Sequence, residues 1–234
     1  MELSVILPTY NEKENIEEMI NRVDEVCRKN KISAEIIVVD DNSPDGTGKI
    51  VRRMMKKRKN LRLVVRQKKE GLGAAVFHGY REAKGRIIGS SDSDLSINPK
   101  YIPDIYKKLR SGYDVVIGSR YMSGAKVIGK PTHKVWASKG AALLASIILG
   151  MNLHDYTLNF RFFKRKALPK KLTATGNVML AEFLYVAKRN GFKIGEVPIT
   201  FVERKKGKSK MRLGKEMFFG LLEMLKLRLR TIFS

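Results

Sequence analysis

Two short apolar runs in this chain end in carboxylates, and that pattern narrows the folds open to it. Ile36-Ile37-Val38-Val39 runs straight into Asp40-Asp41, and residues 86–94 read Arg-Ile-Ile-Gly-Ser-Ser-Asp-Ser-Asp, leaving Asp92 and Asp94 one residue apart. Uninterrupted apolar runs of this length fit strands buried on both faces, as in a parallel sheet covered by helices. Ligands of such sheets sit beyond the carboxyl ends of the strands, so acid at two strand tips points to a metal and phosphate site. On an extended segment residues i and i+2 point to the same side. Asp92 and Asp94 can then face one hard cation such as Mg²⁺ or Mn²⁺.

This acid stands in a chain with 47 Lys and Arg against 23 Asp and Glu, a net charge of +24. Such an excess implies an anionic partner: nucleic acid, an acidic membrane surface or a phosphorylated substrate. Nucleic acid is disfavoured, since neither a reading helix nor a basic face with stacking aromatics stands out. The 234 residues, 43% hydrophobic and 30% charged, are enough for one α/β domain with a full core. Cys27 is the lone cysteine and so forms no internal disulfide, in keeping with a reducing, cytoplasmic setting. The N-terminus has no basic stretch leading into a cleavable apolar segment, so no secretory signal is expected. Residues 141–151, the most apolar later stretch, fall short of the roughly 20 needed to span a bilayer, so no transmembrane helix is expected.

Along the chain, strands are expected at residues 3–7 (stopped by Pro8), 36–39, 61–65, 87–88 and 115–117, the last closing at Gly118-Ser119-Arg120. Helices are expected between them: one opening near Asn11 and Glu14 and carrying Ile16, Met19, Ile20, Val23 and Val26, one with Ile50, Val51, Met54 and Met55, then residues 71–83 and 101–109. This alternation predicts a doubly wound sheet with helices on both faces. Beyond Arg120 the reading is a Gly-rich loop through Gly129, a helix over about 133–149, the segment 155–163, a helix over about 177–189 and a strand over 193–202. A polar basic loop, 203–212, follows, and a final helix covers about 215–232.

Taken in order, the motifs are more specific than any one of them. Pro8-Thr9-Tyr10-Asn11-Glu12, Asp40-Asp41-Asn42-Ser43-Pro44-Asp45-Gly46-Thr47, Arg66 and Lys69 before Gly71-Leu72-Gly73, and Asp92-Ser93-Asp94-Leu95-Ser96 closely resemble the family-2 inverting glycosyltransferases. Gly118-Ser119-Arg120-Tyr121, Asp155-Tyr156-Thr157 with Phe160-Arg161, and Gly195-Glu196-Val197-Pro198-Ile199 leading to Arg204, Gly207, Ser209 and Lys210 resemble the polyprenyl-phosphate sugar synthases within it, the dolichol-phosphate mannose synthases among them.

The resemblance implies a GT-A fold, mostly parallel, over residues 1–212, with 213–234 as an amphipathic C-terminal helix. It also implies a nucleotide-diphosphate sugar donor, with GDP-mannose favoured, a divalent Mg²⁺ or Mn²⁺, and a polyprenyl (dolichyl) phosphate acceptor. Pro8, Tyr10, Glu12, Asp40, Asp41, Lys69, Asp92 and Ser93 would hold the donor. Asp92 and Asp94 match the Asp-x-Asp motif and would be catalytic, with Asp94 the stronger metal ligand and Ser96 a further contact. Arg120, Lys134, Ser138, Arg204 and Lys210 lie where the family binds the acceptor phosphate or donor diphosphate. UDP-glucose and UDP-N-acetylglucosamine enzymes share the scaffold, so those donors and a non-lipid acceptor stay open.

Some positions depart from the family pattern. Ser93 replaces the usual Ala, Lys134 the usual Arg, Asn159 the usual Gly, and Gly129-Lys130 a common Gly-Trp. Lys134 keeps the charge but loses Arg's bidentate fork. His78, His133 and His154 show no metal-ligand spacing and read as structural or surface residues. The last helix carries Met217, Phe218, Leu221, Leu222, Leu225 and Leu229 at helical spacing with Lys226, Arg228 and Arg230 near its end. It can lie in an anionic membrane interface or pack on protein, and peripheral association with the cytoplasmic membrane face is the expectation. Loop 203–212 is expected to act as a mobile lid over phosphate. A phosphoacceptor signalling domain would also place acid on strand tips, but the long continuation past Arg120 and the Asp-x-Asp spacing argue against it.

Overall fold

The computed structural model describes residues 1–174, 176–203 and 213–232, the last span without the side chains of 213–217, 231 and 232. The first half is built from β1 (Leu3–Thr9), α1 (Ile16–Lys29), β2 (Ala34–Asp40), α2 (Thr47–Met55), β3 (Leu61–Val65), α3 (Leu72–Glu82), β4 (Ile87–Ser90), α4 (Ile102–Arg110) and β5 (Val115–Ser119). After these come β6 (Lys126–Ile128), α5 (Thr132–Leu149), β7 (Arg161–Lys164), α6 (Val178–Arg189), β8 (Ile194–Pro198), β9 (Thr200–Val202) and α7 (Leu213–Ile232). The described residues form a seven-stranded sheet in the order β3-β2-β1-β4-β7-β5-β8, with β6 and β9 paired in a separate ribbon. Every pairing in the large sheet is parallel except those of β7, which runs antiparallel between β4 and β5.

The central strands are apolar on both sides because both sides are covered. Leu3, Val5 and Leu7 of β1 and Ile36 and Val38 of β2 enter one core, where α1, α2 and α4 contribute Ile16, Met19, Ile20, Val23, Val51, Met54, Ile105 and Leu109. Ile6, Ile37 and Val39 enter the other, beside Ala75 and Tyr80 of α3, Ala145 of α5, Leu180 and Leu184 of α6, and Met224 and Leu227 of α7. Packing rather than capping holds α1, whose N-cap Asn15 makes no side-chain capping bond. Each fully buried Val, Leu, Ile or Met contributes roughly 1.5–3 kcal/mol. At one ladder position size is critical: a Cβ added to Gly89 would lie 2.0 Å from the ring of its cross-strand partner Phe162.

Several expectations are corrected. Pro8 does not stop β1, which runs on to Thr9 in register with Asp40. Ile6 O accepts from Ser91 N on the β4 side and Thr9 O from Asp41 N on the β2 side, so Pro8, in phase with Ile6, turns its missing N–H toward β4. That ladder has ended at Ser90, and nothing is lost. Nor does a helix open at Asn11, which sits at φ 61°; a turn closed by Asn15 N and Ile16 N on Glu12 O comes first. The strand expected over 193–202 is two, broken at Ile199, whose N bonds Ser119 O, and the second half pairs with β6 inside the stretch expected to be only loop. Residues 204–212, with Arg204, Gly207 and Lys210 and nearly all of the expected lid, lie outside the described residues.

Candidate active site

The carboxyl ends of β1, β2, β4 and β5 open at one end of the sheet. There the loops after β1 and β2 are stitched together by short polar side chains. Asp40 accepts from Thr9 Oγ1 at 3.0 Å, from Ser43 N at 3.1 Å and from Ser43 Oγ, so its carboxylate is spent on shaping the loop. Asp45 Oδ1 accepts from Thr47 N at 2.9 Å while its Oδ2 accepts from Lys13 N at 3.0 Å. Thr47 Oγ1 in turn accepts from Glu12 N at 3.0 Å, and Ser43 Oγ from Asn11 N at 3.0 Å. Asn42 and Gly46 take the left-handed conformations (φ 55° and 95°) that this turn demands.

Inside this frame Asp41 is buried against the Arg66 guanidinium, with Nη1 3.0 Å from Oδ1. Burial still holds the Asp41 carboxyl above its ordinary range, against Arg66, which lowers it. Lys69 Nζ lies 3.7 Å from the centroid of the Tyr10 ring. A flat aromatic surface, a buried carboxylate and a cation thus sit at the mouth of β1 and β2, a set that suits a base, a ribose and a phosphate. Of the expected donor residues, Tyr10, Asp41 and Lys69 are grouped this way. Pro8 instead accepts at its carbonyl from Ser93 Oγ at 2.9 Å, so both fix the loop after β4 against β1.

Asp92 and Asp94 do not share one extended segment as expected. Past Asp92 the chain bends over residues 93–96, carrying Asp94, and turns at Leu95, φ 62°, and β1 lies between the two acid-tipped strands. The bend nonetheless crowds the carboxylates. Burial, with the Asp94 charge beside it, pushes the Asp92 carboxyl up to about 7; Asn159 and Arg120 pull it down, and Glu12 raises it further. Glu12, Asp92, Asp94 and Arg120 therefore share one electrostatic environment. Asp94 Oδ1 accepts from Ser96 N at 3.0 Å, and Ser96 Oγ is buried with no hydrogen-bond partner among the described residues.

These residues fit a divalent cation. Among the described residues there is no cluster of three or more His, Cys, Asp and Glu placed to hold a metal. Mg²⁺-type ions at phosphate sites are usually held by one or two carboxylates, with substrate oxygens and water completing the shell. Two repelling carboxylates beside an unpartnered buried hydroxyl match that donor set.

Arg120 closes the other wall. Its Nε donates to Asp155 Oδ2 at 2.7 Å and its Nη2 to Oδ1 at 2.9 Å, a bidentate pair with Asp155 1% exposed. The guanidinium also lies 5.0 Å from the Tyr121 ring centroid and 5.7 Å from that of Phe201, which carries Lys130 Nζ at 4.7 Å on its own ring. Burial and the Arg120 charge hold the Lys130 ammonium below its ordinary value. Ser138 faces the Tyr121 hydroxyl, and Lys134 is exposed on the first turn of α5, within electrostatic range of Lys130. Arg204 and Lys210 lie outside the described residues.

Sequence reasoning assigned no role to Asp155, Lys130, Asn159 or Glu196. Glu196 accepts from His154 N and Nδ1 (3.0 and 2.7 Å), which holds Asp155 toward Arg120. The signals were present as short polar residues next to buried aromatics, but only the fold reveals which strand end they reach.

A doubly wound sheet with an Asp-x-Asp bend, a Tyr, Asp and Lys cradle and an arginine wall defines the nucleotide-sugar-dependent glycosyltransferases of the GT-A type. The family model "Glycosyl transferase family 2" matches residues 4–171, and the chain belongs to that family. It is 36% identical over 221 residues to the dolichol-phosphate mannosyltransferase of Pyrococcus furiosus, covering 93% of this chain and 61% of that protein. The polyprenol monophosphomannose synthase of Mycolicibacterium smegmatis is 35% identical over 215 residues, covering 88% of this chain and 80% of that one. The chain thus spans about three-fifths of the first relative's length. Among solved structures, the Mycobacterium tuberculosis glucosyl-3-phosphoglycerate synthase in complex with Mn²⁺, UDP and phosphoglyceric acid superposes with TM-score 0.71 at 22% identity, over 97% of this chain and 78% of that one. The mannosyl-3-phosphoglycerate synthase of Rubrobacter xylanophilus gives 0.75 at 17% identity, over 99% and 74%.

Proposed function

We propose that this protein transfers a sugar, mannose from GDP-mannose in the favoured form, to a polyprenyl phosphate with inversion at the anomeric carbon. The observation that carries the reading is the convergence of Asp92, Asp94, Glu12 and Arg120 on one strand-end opening in a chain 35–36% identical to enzymes named for that reaction. Tyr10, Asp41 and Lys69 hold the nucleotide; Asp94 and Asp92 hold Mg²⁺ or Mn²⁺, with Ser96 beside them. A bound divalent cation offsets charge on the departing diphosphate. Arg120, Lys130 and Lys134 steer the acceptor phosphate and stabilise charge that develops as the sugar leaves. A phosphate monoester has its second pKa near ~6, so the acceptor is already an anionic nucleophile at neutral pH and no general base is assigned.

In this reading residues 1–212 form the catalytic body and 213–234 a helix that meets the cytoplasmic face of the membrane. No described helix is long and apolar enough to cross a bilayer. The support for surface docking is an open apolar stripe on each of two adjoining helices. Trp136, Leu143 and Ile147 on α5 are 67, 64 and 69% exposed, and Phe218, Leu222, Leu225 and Leu229 repeat along α7. The core side of α7 is instead Met224 and Leu227. Since α5 begins beside Lys130, docking this face brings a lipid phosphate toward Arg120.

The test incubates the protein with labelled GDP-mannose, UDP-glucose or UDP-N-acetylglucosamine, Mn²⁺ and a polyprenyl phosphate, and measures label in the organic phase. Transfer from GDP-mannose that Asp94→Ala abolishes without altering the circular dichroism spectrum is the expected result. Full activity of that variant removes the metal assignment, and label entering only water-soluble acceptors removes the lipid.

A further inference from the structure

Asn159 departs from the glycine usual at its place, and its side chain is buried in the middle of a polar chain that no assigned role uses. It is 1% exposed, Ser90 is 0% and Tyr80 is 2%. Ser90 Oγ donates to Asn159 Oδ1 at 2.6 Å, and Asn159 Nδ2 donates to Asp92 Oδ1 at 3.1 Å. Having spent its one proton on Asn159, Ser90 Oγ accepts from Tyr80 OH, 2.7 Å away. The Tyr80 ring is itself locked, edge-on to Phe163 at 4.9 Å and against Phe183 at 6.1 Å. Donor and acceptor are therefore fixed at every link, from Tyr80 on α3 through Ser90 on β4 to Asn159 ahead of β7. The order is set by the Asp92 carboxylate, which in the ionised form that a cation requires only accepts: it takes the amide N–H₂ and leaves the amide oxygen for the Ser90 hydroxyl.

We infer that Asn159 is a positioning residue: oriented by Tyr80 and Ser90, it anchors one oxygen of Asp92 so that the carboxylate is held ready for the divalent cation before any ligand arrives. The inference rests on the reading of Asp92 and Asp94 as the cation site. Groups that orient a metal-binding side chain typically carry about ten- to hundredfold in metal affinity. A glycine at 159 has no side chain to supply this bond, so Asp92 would depend on ligand binding to order it.

The test measures Mn²⁺ binding by electron paramagnetic resonance, with Mn²⁺ alone and again with saturating GDP, alongside thermal melting. Asn159→Ala is expected to raise the Mn²⁺ dissociation constant at least tenfold. In turnover it raises the Mn²⁺ concentration for half-maximal rate by a similar factor. Tyr80→Phe, which keeps the ring packing and never nears the metal, is expected to weaken Mn²⁺ about fivefold, the loss of one net hydrogen bond. Asp94→Asn is the control for the underlying site. If it loses Mn²⁺ while Asn159→Ala and Tyr80→Phe bind Mn²⁺ as tightly as the parent, the positioning role is overturned. If Asp94→Asn still binds Mn²⁺, the cation site itself is misassigned. Should Asn159→Ala not fold, Tyr80→Phe decides, because a purely structural bond lowers melting temperature without moving the Mn²⁺ affinity.

Discussion

Arg120 is asked to do two things, hold Asp155 and stabilise phosphate charge, and the two separate experimentally. Arg120→Met leaves Asp155, 1% exposed, with the Thr157 N–H at 3.4 Å and the residue-120 N–H at 3.3 Å as its remaining donors among the described residues, in place of the two guanidinium bonds. Removing one partner of a buried ion pair costs roughly 3–5 kcal/mol. The Arg120 side chain retains 13% exposure, which puts the cost at the low end, about 3 kcal/mol. For a chain of this length that lowers the melting temperature by roughly 6–12 °C. The double variant Arg120→Met/Asp155→Leu removes both charges and is expected to recover to within about 1 kcal/mol of the parent in urea unfolding. Transfer activity should not recover with it: losing a preorganised cation at developing charge costs roughly a hundred- to a thousandfold in kcat. A double variant that regains both stability and turnover would refute the argument, leaving Arg120 as scaffold alone.

Three other outcomes follow from the same geometry. With its folded pKa near 7 against an ordinary 3.8, Asp92 keeps a proton in the native state that the unfolded chain releases, so its contribution to stability falls as pH rises from about 4 through 7. Metal-free Asp92→Asn should thus gain more than ~1 kcal/mol on the parent in urea at pH 8 and little at pH 4.5; an equal difference at both pH values contradicts the assignment. Cys27, 3% exposed and with its thiol pushed up to about 12 chiefly by burial, should resist iodoacetamide at pH 8.5 until the protein unfolds; rapid labelling of native protein counts against that packing. On vesicles containing phosphatidylserine, Trp136→Glu/Ile147→Glu should sediment at least tenfold less than the parent, whose binding weakens with salt; unchanged sedimentation excludes α5 as the docking face.

The strands buried on both faces were legible because burial on both faces leaves a continuous apolar signature, as in residues 36–39, and helices α1 to α4 because each shows a single apolar face. The turn from Asn42 to Gly46 shows in its run of Asn, Ser, Pro, Asp and Gly, whereas Asp92 and Asp94 read as a continuation of extended backbone. What was lost was whatever depends on strand order. β7 inserts antiparallel between β4 and β5, and no local feature of residues 161–164 reveals its neighbours. β6, three residues long, is too short to show a period, and nothing in residues 193–202 marks the break at Ile199 that parts β9 from β8. Asp40 read as a ligand because its sequence context matches one, whereas three hydrogen bonds from Thr9 and Ser43 engage it in the loop.

That inserted strand explains how two carboxylates after β4 and an arginine after β5 come to face one another. β4 and β5 are separated by the width of β7, so their carboxyl-end loops would otherwise stand apart. Running antiparallel, β7 delivers its leading segment, residues 154–160, to that same end. Along it His154 bonds Glu196 of β8, Asp155 takes Arg120, and Asn159 reaches Asp92. Buried Arg161 braces the segment from below, donating to the carbonyls of Tyr156 and Leu158 and to Leu180 of α6. One stretch of chain thus sets the spacing between the carboxylate wall and the cationic wall. A change in its packing, such as Arg161→Met, should therefore shift Mn²⁺ affinity and phosphate binding together, whereas independent effects on the two would show that each wall is held by its own strand.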